Sequence, residues 1–262
     1  MIFNFDLISD IHRETWEYFD WGGQPTSQYC IVAGDVARDR ALVIDTLEQL
    51  SKVYTGVFYV DGNDEHKDYS EDLTTSYMEL TELISTMGNV VYLHDNVVVM
   101  NGIAILATNG WWSYDFDPSL DLAQSITWLQ HKDRISQNAA ININATAYRD
   151  AGYMSNSVAK LQTYQDVKSI IIVTHTVPTP KIIQHDLQLI DSWRFNSMGN
   201  SRMKDVLTED CENKIKLWCF GHYHRPVDTV IDGIRYVSNP RGRGDTEYSQ
   251  PVYYPKRITI EV

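Results

Sequence analysis

The sequence predicts an α/β protein whose sheets are mixed rather than wholly parallel, and three observations carry that reading. Short apolar runs of strand length alternate along the 262 residues with longer stretches whose apolar positions recur at helical spacing. Two pairs of runs, Val97–Met100 with Ile103–Ala107 and Val227–Ile231 with Ile234–Val237, are separated only by Asn101-Gly102 and Asp232-Gly233. Those dipeptides close two-residue antiparallel hairpins, because both residues tolerate positive φ. Finally, Asp, Asn and His gather at the ends of the runs, the edge at which α/β sheets bind ligands.

Taken in order, Ile2–Ile8 and Tyr29–Ala33 are apolar and aromatic runs that end in Ser-Asp and Gly-Asp, so both read as strands. Ala41–Tyr54 carries Leu42, Leu47 and Leu50 at helical spacing. Val57–Val60 is a strand that runs through Asp61 into Gly62-Asn63-Asp64, and Glu71–Met87, with Leu73, Leu80, Leu83 and Ile84, is a second helix. The first hairpin follows. Trp111–Pro118 is aromatic and acidic without period, hence a loop, and weaker helical patterns occupy Ser119–Leu129 and a stretch near Ala145–Gln165. Ser169–Thr174 and Leu217–Phe220 are strands that end in His175 and in Gly221-His222-Tyr223-His224, and the second hairpin and Arg257–Glu261 complete the series. With no repeat, low-complexity tract or clear linker, residues 1–262 are expected to form one domain.

The formal net charge is −13 and the pI about 4.9. Non-specific nucleic-acid binding rests on Lys and Arg against phosphates, so this balance counts against a nucleic-acid polymer as partner. It leaves room for a small phosphorylated substrate, because bound dications reverse the sign locally. Three cysteines without CxxC spacing, two of them in apolar runs, point to buried free thiols in a reducing compartment. The N-terminal MIFNFDLISD lacks a basic segment and a cleavage site, and no apolar stretch approaches about 18 residues, so a cytoplasmic protein without a membrane span is expected.

The polar residues at the strand ends are Asp10, His12, Asp35, Asn63, His175, His222 and His224. Carboxylate, imidazole and amide oxygen together suit borderline dications such as Mn, Fe, Zn or Ni, with Mn favoured, whereas a soft site would show thiolates. Seven candidates exceed what one four-coordinate ion needs, so two divalent ions are implied, with a carboxylate such as Asp35 able to bridge them. Paired metals about 3.5–4 Å apart hold a hydroxide between them and clamp the oxygens of a phosphoryl group during in-line attack.

In chain order SDIH, GDVARDR, GNDEH, VTHTVP and GHYH resemble the five blocks of the calcineurin-like metallophosphoesterases, usually DxH, a GD segment with a following Arg, GNHE, a lone His after an apolar strand, and GHxH. With the Trp-rich loop at Trp111–Trp112 and a late Asn239-Pro240-Arg241-Gly242, the sequence is similar to compact bacterial and phage-type members over nearly its whole length. The resemblance implies a four-layer α/β/β/α sandwich with two mixed β-sheets and a dinuclear site on their common edge. It assigns Asp10, His12, Asp35 and His224 to one ion, and Asp35, Asn63, His175 and His222 to the other.

The sequence departs from the family at Asp64, where a His is expected to protonate the leaving oxygen or steady the transition state. A carboxylate near two dications is held ionised and donates protons poorly near neutrality. It also repels a monoester dianion more than a phosphodiester monoanion. The expected activity is therefore hydrolysis of phosphodiesters or activated phosphate esters, with Asp64 or His66 standing in for the missing imidazole. A protein Ser/Thr phosphatase and a catalytically weak scaffold that retains the metal site are the alternatives. Arg38 and Arg241 are candidate phosphate contacts, and Trp111 and Trp112 candidate stacking surfaces over the site. His94, His131 and His185 lie outside every block and are expected on the surface or in structural roles.

Overall fold

The computed structural model describes residues 2–17, 24–69, 72–133, 136–184, 192–244, 246 and 249–261. The strands are β1 (Ile2–Ile8), β2 (Tyr29–Ala33), β3 (Gly56–Val60), β4 (Val90–Tyr92), β5 (Asn96–Met100), β6 (Ile103–Ala107), β7 (Ser169–Val173), β8 (Ile215–Phe220), β9 (Val227–Ile231), β10 (Ile234–Ser238) and β11 (Lys256–Glu261). The helices are α1 (Arg40–Val53), α2 (Leu73–Ser85), α3 (Leu122–Asp133), α4 (Gln137–Gln162), α5 (Ser192–Phe195) and α6 (Met203–Thr208).

One sheet has the order β11-β1-β2-β3-β4 and the other β5-β6-β7-β8-β10-β9. Both are mixed. β1 to β4 run parallel with β11 antiparallel at one edge, and β6, β7, β8 and β10 run parallel between the antiparallel edge strands β5 and β9. The two expected hairpins are present, and Asn101-Gly102 and Asp232-Gly233 both take positive φ, as a primed turn requires.

The sheets pack face to face. Phe3, Phe5 and Leu7 of β1 alternate along the strand toward Ile105 of β6, Ile171 and Val173 of β7 and Leu217 of β8, all buried in one apolar layer. The intervening residues face outward: Cys30, Val32 and Val57 meet Val43, Leu47 and Leu50 of α1 and Leu80 and Ile84 of α2. On the other side Ile170, Ile172 and Trp218 meet Met154, Val158 and Leu161 of α4 and Met203 of α6. A strand buried on both faces reads as a continuous apolar run, which is why SIIIV and YCIVA show no alternation. Each buried Leu or Ile contributes about 1.5–3 kcal/mol through removal of apolar surface from water. These are the four layers, helix, sheet, sheet, helix, of the expected sandwich.

The differences from expectation have local causes. β4 was not expected because it is a three-residue edge strand. α4 begins well before Ala145, capped by the Ser136 side chain, which accepts from the Ala139 amide. Four of its ten buried residues are alanine (139, 140, 147 and 151), and Thr146 and Asp150 are polar, which weakens the periodic signal there. α5 and α6, of four and six residues, are too short for a period to register. Trp111–Pro118 is an irregular segment, and Trp111, Trp112 and Tyr114 are buried between Leu73 and Tyr77 of α2 and Ala140, Ile143 and Ala147 of α4.

Candidate metal centre

Five turns meet at the shared carboxyl edge of the two sheets, and backbone hydrogen bonds tie four of them in pairs and the first to the segment after β10. Asp10 N donates to Gly34 O (2.9 Å), His12 N to Asp35 O (3.0 Å), Gly221 N to His175 O (2.8 Å) and Gly242 N to Asp10 O (2.9 Å). Three glycines let the turns close. A Cβ on Gly34 would stand 2.4 Å from His175 Nδ1, one on Gly62 would stand 2.2 Å from Asp35 Oδ1, and one on Gly221 would stand 2.6 Å from Asp10 Oδ2. The glycine of each GD, GN and GH pair thus makes room for a candidate ligand from another turn. Gly62 does this without positive φ, and Asn63 leads straight into a 3-10 helix, Asp64–Tyr69.

Strain concentrates here. Asp10, His12, Asp35, His222 and His224 all have φ between 44° and 66°, the left-handed region that non-glycine residues occupy at a cost of order 1–3 kcal/mol each. Such geometry persists where surrounding contacts enforce it, and it aims all five side chains into one space.

The donor atoms fall into two groups. Asp10, His12, Asp35 and His224 form one, and Asp35, His175 and His222 the other, each with its ligand atoms within 4.8 Å of one another. In the first, His12 Nε2 is 2.9 Å from His224 Nε2 and 3.6 Å from Asp35 Oδ2, and His224 Nε2 is 3.5 Å from Asp10 Oδ1. In the second, His175 Nε2 is 3.3 Å from Asp35 Oδ1 and 3.2 Å from Asn63 Oδ1. Donors each about 2.1 Å from one ion stand about 3.0–3.4 Å apart in tetrahedral or octahedral geometry, so these spacings fit a cation in each group. Asp35 turns one oxygen to each.

The imidazole orientations agree. Carbonyl oxygens only accept, so His175 donates through Nδ1 to Ala33 O (2.9 Å) and His222 through Nε2 to Ser197 O (3.0 Å). The other nitrogen of each ring is thereby directed toward the donor group, the orientation a bound ion requires. Asp10 Oδ2 is buried without a hydrogen-bond partner. Burial, compounded by Asp35 and opposed by His175, pushes Asp10 up to about 6. Asp35 lies well below the carboxylate range in spite of burial, held there by His175, whose own value rises to about 10 against burial because of Asp35. Burial and the charge of His175 take His222 down to about 4. An orphaned buried carboxylate oxygen, beside an imidazole that holds its proton in spite of burial, marks a donor set short of positive charge, and the residues fit a pair of divalent cations.

Glu65, which sequence reasoning passed over, braces the turns. Its carboxylate accepts from Asp35 N (3.1 Å), Val36 N (2.7 Å) and Gly62 N (2.8 Å), joining the GD and GN segments. Its place two residues after Asn63 in a GN-D-E segment was the available signal.

The remaining expected site residues divide. Asp64 lies at the centre, its amide donating to Asp35 Oδ1 (2.8 Å). His66 does not stand in for the missing imidazole. It is buried among Tyr77 and Trp111, with Nε2 on Asp61 Oδ2 (2.8 Å) and Nδ1 on Ser76 Oγ (2.7 Å), so neither nitrogen is available to a substrate. Trp111 is core rather than a stacking surface, its Nε1 donating to the Tyr77 hydroxyl (2.6 Å). Trp112 stacks on His222, centroids 5.6 Å apart and planes at 20°, so it backs a candidate ligand. Arg38 is exposed, and its amide donates to Glu14 Oε2 (3.3 Å). Arg241 is buried with its guanidinium 4.1 Å over the Trp16 ring. The arginine beside the centre is Arg243, 31% exposed, with Nη1 donating to Asp64 Oδ2 (2.8 Å). Of the other histidines, His94 stacks on Tyr77, His131 is exposed and His185 lies outside the described residues.

No protein-family model matches the chain, and no curated protein matches it by sequence. Solved structures do. A phosphopantetheinyl hydrolase from Mycobacterium tuberculosis aligns with a TM-score of 0.69 over 91% of this chain and 89% of that one, at 19% identity. A Staphylococcus aureus protein provisionally described as a 5′-nucleotidase, crystallised with α-ketoglutarate, aligns with a TM-score of 0.51 at 11% identity. That match takes in all of this chain but 51% of the other. At these identities the likeness is one of fold, and the fold is that of the calcineurin-like metallophosphoesterases.

Proposed function

We propose that this chain is a dinuclear-metal-dependent phosphoesterase that hydrolyses phosphodiesters or activated phosphate esters in preference to alkyl phosphomonoesters. The observation that carries the reading is the pair of buried donor groups sharing Asp35 on the common edge of two sheets. When bound, two divalent ions, Mn before Fe, Zn or Ni, supply the nucleophile and neutralise the phosphoryl oxygens. The chain's own residues do the holding: Asp35 spans both groups, His175 and His222 are fixed in orientation by backbone carbonyls, and Glu65 ties the two acidic turns.

The substrate preference follows from the proton inventory. Asp64 stands where the family has its imidazole, His66 is engaged elsewhere, and Arg243 is occupied by the Asp64 carboxylate. None of these groups donates a proton readily to a leaving alkoxide. Esters whose alcohol departs without protonation, and diesters carrying one negative charge fewer, suffer least. Three free thiols accord with a cytoplasmic location, and no helix among the described residues is long and apolar enough to cross a membrane.

The test is turnover by Mn-loaded protein of bis(4-nitrophenyl) phosphate against a serine phosphopeptide, with a phosphopantetheinylated carrier protein added because of the structural likeness. The diesters should turn over faster. A faster phosphopeptide would overturn the preference in favour of a protein phosphatase, and two bound ions without turnover of any ester would indicate a scaffold.

A further inference from the structure

Asp64 has surroundings that suit neither a proton donor nor a simple vacancy left by a lost imidazole. Its side chain is 3% exposed. Oδ1 accepts from Asn63 Nδ2 (3.1 Å), and Oδ2 accepts from Arg243 Nη1 (2.8 Å) and lies at ion-pair distance, 3.3 Å, from His12 Nδ1, a buried nitrogen that makes no hydrogen bond. Two of these neighbours, Asn63 and His12, belong to different donor groups. With its amide nitrogen held by Asp64, Asn63 turns Oδ1 toward His175 Nε2. With Nδ1 facing Asp64, His12 presents Nε2 to Asp35 and His224.

We propose that Asp64 is a positioning residue shared by both ion sites: one carboxylate oxygen sets the amide of Asn63, the other sets the imidazole of His12, and Arg243 holds that carboxylate in place. The inference rests on the dinuclear reading. A carboxylate set beside the distal nitrogen of a metal-binding imidazole favours the tautomer with its proton on that side and raises the basicity of the nitrogen that faces the ion. An asparagine ligand needs the same help, because a half-turn about its last bond would offer an amine that binds no cation. Arg243 completes the arrangement. Its Nη2 lies 3.7 Å from Glu14 Oε1, and His12, Glu14 and Asp64 together form a third acidic and imidazole cluster. The guanidinium pairs with both carboxylates of that cluster and gives the buried Asp64 side chain a charged partner.

Metal content and affinity test this without recourse to turnover. The full chain and its variants are loaded with Mn(II) or Co(II), analysed for metal per chain, and titrated against a chelating indicator. Wild type should hold two ions. Asp64→Ala should weaken both together by about 10–100-fold, and its Co(II) absorption spectrum at matched loading should differ from that of wild type. Arg243→Lys should keep wild-type affinity and Arg243→Met should not. Asp64→Ala holding two ions at wild-type affinity, or losing one while keeping the other unchanged, overturns the inference. If Asp64→Ala does not fold, Asp64→Asn decides. It has the same shape with a single acceptor oxygen, so at least one ion should weaken about tenfold, and unchanged affinity for both is the contrary result. Wild type holding fewer than two ions overturns the dinuclear reading itself, and this inference with it.

Discussion

His12 and His224 bring their Nε2 atoms to 2.9 Å from opposite sheets, one carried by the turn after β1 and the other by the turn after β8. Two imidazole lone pairs at that distance repel unless a proton or a cation lies between them. Burial, then the charge of His12, holds His224 well below the usual histidine range, whereas the carboxylates around His12 raise it against burial, so without metal the proton between the rings belongs to His12 and a bound cation takes its place.

Divalent metal should therefore stabilise the folded chain. At a free concentration 100 times the dissociation constant the gain is about 2.7 kcal/mol per site, which for a chain of this size raises the thermal midpoint by roughly 5–10 °C. Differential scanning fluorimetry with Mn and with a chelator measures it. His224→Ala should lose about half of the shift and one of the two ions, and an unchanged metal content would remove His224 from the ligand set.

Asp35→Asn should be more damaging than loss of any single histidine, because among the described residues Asp35 alone belongs to both donor groups. We expect both ions to weaken and kcat/KM on a diester to fall by at least about 100-fold. His222→Ala, by contrast, should leave one ion in place. Metal analysis of the two variants side by side distinguishes a shared ligand from an ordinary one.

Two glycine substitutions should move stability in opposite directions. Gly62→Ala places a methyl 2.2 Å from Asp35 Oδ1 and 2.4 Å from Asp35 N, so the two acidic turns must part and metal content should drop with stability. Gly152→Ala lies in α4 with nothing within 4 Å and should stabilise by about 0.5–1 kcal/mol through helix propensity, leaving metal content alone. Chemical denaturation of both variants is the check.

The sequence carried the sandwich and the candidate cluster well, since both rest on local order: apolar runs of strand length, each followed by its polar turn. What it carried poorly depended on which side chains meet across the chain. Arg241 reads as the phosphate contact because it follows a strand near the site, yet its guanidinium lies on Trp16, and Arg243 two positions on reaches Asp64. His66 reads as available because it sits two residues from Asp64, but the 3-10 helix turns it into a pocket formed by Asp61, Ser76 and Tyr77. Trp111 and Trp112 read as a roof because nothing in a loop's sequence says what it packs against.

Asp150 gives a pH dependence separate from the metals. Its Oδ2 accepts from the Gly110 and Trp111 amides, and burial, reinforced by Asp95 and opposed by Arg149, raises it from 3.8 to about 7. Below about pH 3.8 the group is protonated in both folded and unfolded chains, and its contribution is fully present. As the pH rises to 7 the unfolded chain releases the proton first, so stability falls, by up to ~4 kcal/mol, and levels off above that. Asp150→Asn should flatten this slope in denaturation curves between pH 4 and 8. A wild-type slope that survives the substitution would assign it to other groups.

Neither sheet can assemble either donor group from its own turns. Asp10, His12 and Asp35 need His224 from across the interface, and Asp35 and Asn63 need His175 and His222. The apolar layer of Leu7, Ile105 and Ile171 is thus a spacer whose thickness gauges the gap the cations must fill. A truncation deep in that layer, far from any polar atom, would mistune the chemistry at the rim, and selection for a particular metal radius can act on residues that never touch it.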